Sequence, residues 1–262
     1  MKHLTSIITL VLLLVVSCTS TKKLTYLNNL QETNEVQYFP YEMPDYKVQY
    51  RDILYIEVKS MSPEGVIEDL LLGRSGYNTA FYMQNESGQY LSGYNVDKAG
   101  NISLPVVGKI SVAEKTLPEI REIVQHKVDS VFNHAYVDCK LLSFKYTVLG
   151  EVKVPGTYLN YNNYLTIFEA IGRAGGVGDY GRRDRVLVIR PTEKGTKTYR
   201  IDLRDKNLLT SEAYFLMPND VIIIEPLSNK IFNMNLPTLS FAISAFTGII
   251  TSTLLLINYF KK

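Results

Sequence analysis

The side chains with chemical potential in this sequence are hydroxyls, arginines and a single early cysteine, not an acid–base set. Near the carboxy terminus Ser240, Ser244, Thr247, Thr251 and Asn258 recur at spacings of four, three, four and seven residues. At about 100° per residue they fall in one narrow stripe of a helix. A row of this kind offers weak, replaceable hydrogen bonds. It does not offer a nucleophile, because no Ser/His/Asp or Cys/His grouping and no paired-carboxylate signature accompanies it. Of three histidines, His3 lies in the N-terminal hydrophobic leader. His126 and His134 stand eight residues apart without nearby carboxylates, and read as surface residues rather than metal ligands. The segment Gly175-Gly176-Val177-Gly178-Asp179-Tyr180-Gly181, followed by Arg182, Arg183 and Arg185, has the composition of a phosphate cradle. It lacks the G-x-x-x-x-G-K-[ST] order, and its glycines close a helix rather than open one. The expectation is a helix stop and a loop with solvated arginines, available to acidic sugars or a neighbouring subunit. No catalytic residue, metal or cofactor is expected.

The element that must carry the stripe is the stretch 236–260, 25 residues without Asp, Glu, Lys or Arg, followed by Lys261 and Lys262. As a helix it rises about 37 Å, at ~1.5 Å per residue, enough for a hydrocarbon core of roughly 30 Å. Phe241, Ala245, Phe246, Ile249, Leu256, Ile257 and Phe260 face away from the stripe, while Ser252 and Thr253 interrupt that side. Two readings fit a transmembrane helix with a polar edge. Small hydroxyl residues let helices pack closely, or a ring of copies turns the edge to a wet lumen and the apolar side to lipid.

At the other end, Met1-Lys2-His3 and the apolar run from Leu4 to Val16 have the shape of a secretion signal, too short for an ordinary membrane span. The ending Val15-Val16-Ser17-Cys18 resembles the bacterial lipoprotein processing site. That resemblance implies cleavage of residues 1–17 and acylation of Cys18. Thr19 at the next position resembles lipoproteins passed to the outer membrane. Several acyl chains, at about 0.8 kcal/mol per buried methylene, hold a chain firmly on a bilayer. Residues 18–45 read as a polar tether ending in Pro40 and Pro44.

Composition excludes some classes. The net charge of +2 over 262 residues gives no reason to expect a nucleic-acid partner. Two cysteines make no disulfide framework, and Cys139 reads as a small sheet residue. Nineteen tyrosines and no Trp suit sheets and interfaces.

Between the two ends the pattern is α+β, in two small mixed α/β domains at 46–145 and 146–228. In the first, Val48 to Lys59 alternates as a strand. Ser60 to Gly93 is looser, with a short helix expected over Glu64–Leu72. Asp97-Lys98-Ala99-Gly100 is hairpin chemistry. Thr116-Leu117-Pro118-Glu119 has capping-box spacing, before a helical face of Ile120, Ile123, Val124, Val128 and Val131. Ala135 to Val148 is strand-like and leads directly into the next unit. There Thr147 to Gly150 alternates and turns at Pro155-Gly156. Thr166-Ile167-Phe168-Glu169 repeats the capping box, and Gly175-Gly176 stops its helix. Strands follow at Val186–Arg190, Thr198–Leu203 and Val221–Ile224. The run Val107-Gly108-Lys109-Ile110-Ser111-Val112 echoes Leu149-Gly150-Glu151-Val152-Lys153-Val154, as in similar strand–turn–helix units.

V-L-G-E-V-K-V-P-G-T-Y, then L-T-I-F-E-A-I-G-R-A-G-G, then V-L-V-I-R, resembles the soluble-ligand-binding β-grasp domain of polysaccharide export proteins. Y-K-V-Q-Y-R-D-I-L-Y-I-E-V and the stretch from Tyr94 to the Ile120 helix resemble that family's export domain. Where the family has a Pro-Gly-Asp turn, this chain has Tyr50-Arg51-Asp52, and it has room for one β-grasp domain where some members carry two. The resemblance implies an outer-membrane lipoprotein, anchored at Cys18 with its domains in the periplasm of a Gram-negative cell. It implies a homo-oligomeric ring whose final helices form an α-helical barrel for capsule or exopolysaccharide. An inner-membrane copolymerase or tyrosine kinase is the implied partner. On this footing the lumen-facing reading of the stripe leads. The alternative is a membrane-anchored glycan-binding or scaffold lipoprotein that forms no pore.

Overall fold

The computed structural model describes residues 24–61, 67–71, 88, 90–91, 93–132, 134–192 and 194–260. The leader 1–17 and Cys18 lie outside them. The chain is mixed α/β, as its alternating and helical periods predict.

The first layer is built on β1, Ile53–Met61, which pairs antiparallel with β6, Ala135–Leu141, through seven register positions. On its other edge β1 takes β2, Ile67–Asp69, and β3, Tyr94–Asn95. β2 is a correction to the expected helix over Glu64–Leu72. The reach of β1 to Met61 leaves an open edge, and Ile67–Asp69 pairs with it. A separate hairpin joins β4, Asn101–Leu104, to β5, Gly108–Ser111. Across this unit lies α1, Leu117–Asp129, started by the predicted capping box. Thr116 accepts from the Glu119 backbone N–H, and Glu119 accepts from Thr116. Ile120, Val124 and Val128 are fully buried beneath it, worth roughly 1.5–3 kcal/mol each. Val131, expected on that face, lies beyond the helix end and is half exposed.

The second layer is a five-stranded sheet in the order β10-β9-β11-β7-β8. Its members are β7 (Lys145–Gly150), β8 (Gly156–Leu159), β9 (Gly181–Thr192), β10 (Gly195–Ile201) and β11 (Val221–Pro226). Only β11 and β7, at the centre, run parallel; the other pairs are antiparallel. This is a β-grasp arrangement. A hairpin leads to α2, Ile167–Arg173, and a second hairpin follows before a last strand slots between the two. The expected continuous strand Ala135–Val148 is broken at Leu142–Phe144, because its two halves belong to different sheets.

Three glycines shape the connections. Gly150 has φ +86°, and a Cβ there would clash with the Ile224 carbonyl oxygen on the parallel neighbour. At the end of α2, Gly175 and Gly176 are both left-handed. The Gly176 N–H reaches the Ile171 carbonyl and the Gly175 N–H that of Gly172, a Schellman stop.

The last helix, α3, is Ser228–Phe260, 33 residues, about 50 Å long. It leaves directly from β11 and is fastened at its base by a Lys230–Glu151 ion pair. Among the described residues no helix is long and apolar enough to cross a membrane. Side chains at 231–239, 242, 250, 254 and 258 lie outside the described set, so the described ones form no continuous apolar run. The stretch 236–260 is helical as expected, and its expected membrane crossing is not supported.

The tether expected at 18–45 is also revised. From Leu24 it is a strap fastened to the β-grasp domain at two places. The Leu27 N–H donates to the Leu203 carbonyl at 3.1 Å. The Asn29 amide donates to Asp205, and its oxygen accepts the Lys206 N–H at 2.7 Å. The Tyr26 ring meets Phe168 edge-on, and the Tyr41 ring tilts against Phe215.

Candidate functional site

Three places carry the candidate side chains: the hydroxyl edge of α3, the arginine strand β9, and the wall between the two domains.

On α3 every described side chain of the apolar stretch is exposed, including Phe241, Phe246, Ile249, Leu256, Ile257 and Phe260. The hydroxyls are aligned by the helix itself. Ser244 donates to the Ser240 carbonyl, Thr247 to that of Ile243 and Thr251 to that of Thr247, each at 2.8 Å. Thr253 does the same to Ile249 on the opposite side. Each proton is thus used inside the helix, and the oxygen keeps an acceptor position for a visiting hydroxyl. The Asn258 side chain lies outside the described residues.

The arginines depart from expectation. Arg182, Arg183 and Arg185 sit in β9, not in a loop, and two of them are half-buried. Arg182 makes a two-point bond to Asp184, at 3.2 and 2.7 Å. That bond holds the Asp184 carboxyl below its ordinary range. Arg185 faces Glu225, which also receives Arg200. Arg183 donates to the Val177 carbonyl at 3.4 Å and lies over the Tyr26 ring, 5.5 Å from its centroid. Its Nε and Nη1 are buried without a partner among the described residues. Arg182 and Arg185 are therefore engaged within the domain, and Arg183 is covered by the strap.

Sequence reasoning missed three buried charged residues, which form two locks at the wall between the domains. Asp52 is 3% exposed. It accepts from the Tyr46 hydroxyl at 2.7 Å, the Gln49 N–H at 2.9 Å and the Ser143 hydroxyl at 3.0 Å. Burial pushes its carboxyl above the ordinary range, against the lowering effect of these donors. Ser143 belongs to the link between the sheets and also accepts the Ile53 N–H, so Asp52 locks the entry turn to that link. The second is Arg190, which forks onto fully buried Asp220 at 3.0 and 2.8 Å and donates to the Phe215 and Glu212 carbonyls. Burial raises the Asp220 carboxyl, and Arg190 opposes it. The retained Asp of the family's turn was the one available signal for Asp52. Nothing in the spacing of Arg190 and Asp220 announces their pairing.

Between these two locks runs a cleft of about 1010 Å³, lined by Tyr46, Tyr50, Arg51, Lys145, Arg190 and Asn219 among others. Cys139 lines a smaller cavity of about 450 Å³. Burial pushes its thiol up to about 12, so it is an inert sheet residue. Among the described residues no cluster of His, Cys, Asp and Glu is arranged to hold a metal.

The β-grasp sheet is joined to a second mixed α/β unit through the Asp52–Ser143 lock. Comparison with known families identifies both units. Residues 40–142 match the family described as polysaccharide biosynthesis/export protein, and residues 144–224 match the SLBB domain. The chain belongs to the polysaccharide biosynthesis/export protein family. It is 33% identical over 110 residues to the EPS I polysaccharide export outer membrane protein EpsA of Ralstonia nicotianae. It is 28% identical over 125 residues to the exopolysaccharide production protein ExoF of Rhizobium meliloti. These matches take in 40% and 45% of this chain, but only 29% and 30% of the relatives. The chain thus spans under a third of the length of the curated relatives it matches.

Proposed function

We propose that this chain is a subunit of an oligomeric outer-membrane channel that exports capsular polysaccharide or exopolysaccharide. The observation that carries the reading is α3. It is a single helix of 33 residues leaving the β-grasp domain, with a hydroxyl row on one edge and exposed Phe, Ile and Leu on the other. In a ring of copies the apolar side meets lipid and the hydroxyl edge encloses water. A helix pairs most of its interior backbone groups within itself, as a lipid-spanning wall requires. The acceptor positions left on Ser244, Thr247 and Thr251 offer a sliding sugar chain weak contacts, which conduction needs and tight binding would defeat.

Placement of the two ends supports the same reading. Cys18, the proposed lipid-bearing residue, is six residues from Leu24, about 20 Å of extended chain. The strap that begins at Leu24 lies on the β-grasp domain, and α3 leaves the same domain. Both proposed membrane attachments therefore emerge from one domain, and the export domain is left to face the periplasm. There it offers a surface to an inner-membrane copolymerase or tyrosine kinase. The role is transport, without turnover of the glycan.

A second reading rests on the hydroxyls bonding back into their own helix. That makes the edge compatible with lipid, so α3 serves equally as a lone anchor for a glycan-binding scaffold. Mass measurement of detergent-extracted protein separates the two. The channel predicts a ring, and a stable monomer would leave the scaffold. The double variant Thr247→Leu with Thr251→Leu then tests the lumen. Assembly is retained and export falls at least tenfold. Normal export from an assembled ring would refute the hydroxyl-lined path.

A further inference from the structure

The strap contains a feature that neither the lipid anchor nor the helix explains. It is pinned at Tyr26–Asn29 on the β-grasp domain and again at Tyr41 against Phe215. Between the pins it bows outward. Val36 is 97% exposed and Tyr38 86%. From Leu24 to Tyr46 the chain carries Glu32, Glu35, Glu42 and Asp45 and no Lys or Arg. Neither Glu32 nor Glu35 forms an ion pair among the described residues. An acidic bow with two naked apolar side chains is a poor surface to leave in water. Its charge also excludes anionic lipid headgroups as the cover, although the proposed anchor is close by.

A complementary surface exists on the same molecule. β10 is an edge of the five-stranded sheet, paired among the described residues on one side only. Gly195 to Thr198 and Arg200 are exposed along it, with Lys194 just before and Lys197 within. Lysines on an open edge keep identical edges from pairing with each other. They do not repel an acidic segment. Among the described residues, the segment 36–40 has no hydrogen-bonded partner strand. An extended segment of that length can add to a sheet edge through main-chain bonds, with alternate side chains giving selectivity. The bow does not lie on its own β10, since Val36 is bare.

We propose that the acidic bow Gln31–Pro40 of one copy docks on the basic β10 edge of the next copy, as an added strand. The contact is head-to-tail, the kind that closes a ring when the rotation allows. It rests on the channel reading above and supplies the specific clasp between neighbours. Glu32 and Glu35 meet Lys194 and Lys197, and Val36 and Tyr38 are covered by the neighbour.

The test uses full-length chain in detergent, with Cys139→Ser throughout. One tagged copy carries Val36→Cys and a differently tagged copy carries Thr198→Cys. After co-expression and oxidation a mixed-tag disulfide is expected. In parallel, Glu32→Lys with Glu35→Lys should lower the assembled fraction at least tenfold. Adding Lys194→Glu with Lys197→Glu should restore it. All these side chains are exposed, so the thermal midpoint of the folded domains should not move. Rings seen by particle imaging with no mixed-tag disulfide, or rings indifferent to charge reversal, overturn the clasp and leave the channel standing. Monomers in every preparation overturn both.

Discussion

Arg51 shows what one backbone angle demands. Its φ is +76°, in the left-handed region, where a non-glycine residue costs about 1–2 kcal/mol. It occupies the middle of the turn at which the family has Pro-Gly-Asp. Glycine fits there because nothing else takes this angle freely. The arginine side chain recovers part of the cost by lying over the Tyr50 ring at 5.2 Å, worth about 0.5–1 kcal/mol at an exposed site. We expect Arg51→Gly to leave the thermal midpoint equal to or slightly above that of the parent. Arg51→Val should lower stability by about 1–2 kcal/mol, because a branched Cβ makes the left-handed angle worse. Thermal unfolding of the three proteins gives the order. A neutral valine with a destabilised glycine would mean that the turn is not left-handed. Asp52 was legible only as a retained motif residue. Its partners Tyr46, Gln49 and Ser143 lie up to 91 residues away, and long-range convergence has no period to read. Arg183 shows the same limit. Its position after a glycine-rich stop resembles a loop, and only the reach of β9 back to Gly181 puts it into a strand.

Elements whose signals are local were read well. Both T-x-x-E boxes form, with hydroxyl and carboxylate exchanging bonds at each helix start. The glycine pair ends α2, and Asp97 caps its turn by accepting the Ala99 and Asn101 N–H groups. The strap was not read, because its contacts cross as many as 177 residues of sequence and its composition is that of a linker. Its clip makes a pH-dependent prediction. The Asn207 backbone N–H, and after it the Asn29 amide, hold the Asp205 carboxyl below its ordinary value. A carboxylate with a lowered folded pKa adds stability above its unfolded value, near 4. That contribution is lost as pH falls through the lower folded value. The strap should therefore loosen in acid below about pH 4, and not in base. Radical footprinting of Tyr26 reads the change, since this ring rests on Phe168 and Arg183. Asn29→Ala should show raised Tyr26 labelling already at neutral pH. Equal labelling of parent and variant at pH 7, with no rise at pH 3.5, would mean the clip does not hold the strap.

At the scale of the whole molecule, two folded units and one projecting helix divide the labour, and the division can be tested by removing a part. The cores are separate clusters, one around Ile56, Ile120 and Val137 and the other around Tyr146, Ile167 and Ile222. No described residue of α3 belongs to either. The helix touches the domains at its base, through Leu227 to the Tyr180 carbonyl and Lys230 to Glu151. Beyond that its described side chains stand free, with Phe241 77% and Phe260 81% exposed. Such a surface in water drives association at roughly 25 cal/mol for each Å² covered. It supplies nothing to the fold of the domains. A chain ending at Asn235 should therefore keep its unfolding midpoint within about 2–3 °C of the full chain, since a loss of under 1 kcal/mol moves a domain of this size little. Made from Leu24 onward, so that no acylated Cys18 remains, it should also become soluble without detergent, while the same chain carrying α3 remains detergent-dependent. If the shortened chain instead unfolded, or still required detergent, the apolar side of α3 would be packing on its own domains. It would then have nothing left to present to lipid or to neighbouring helices.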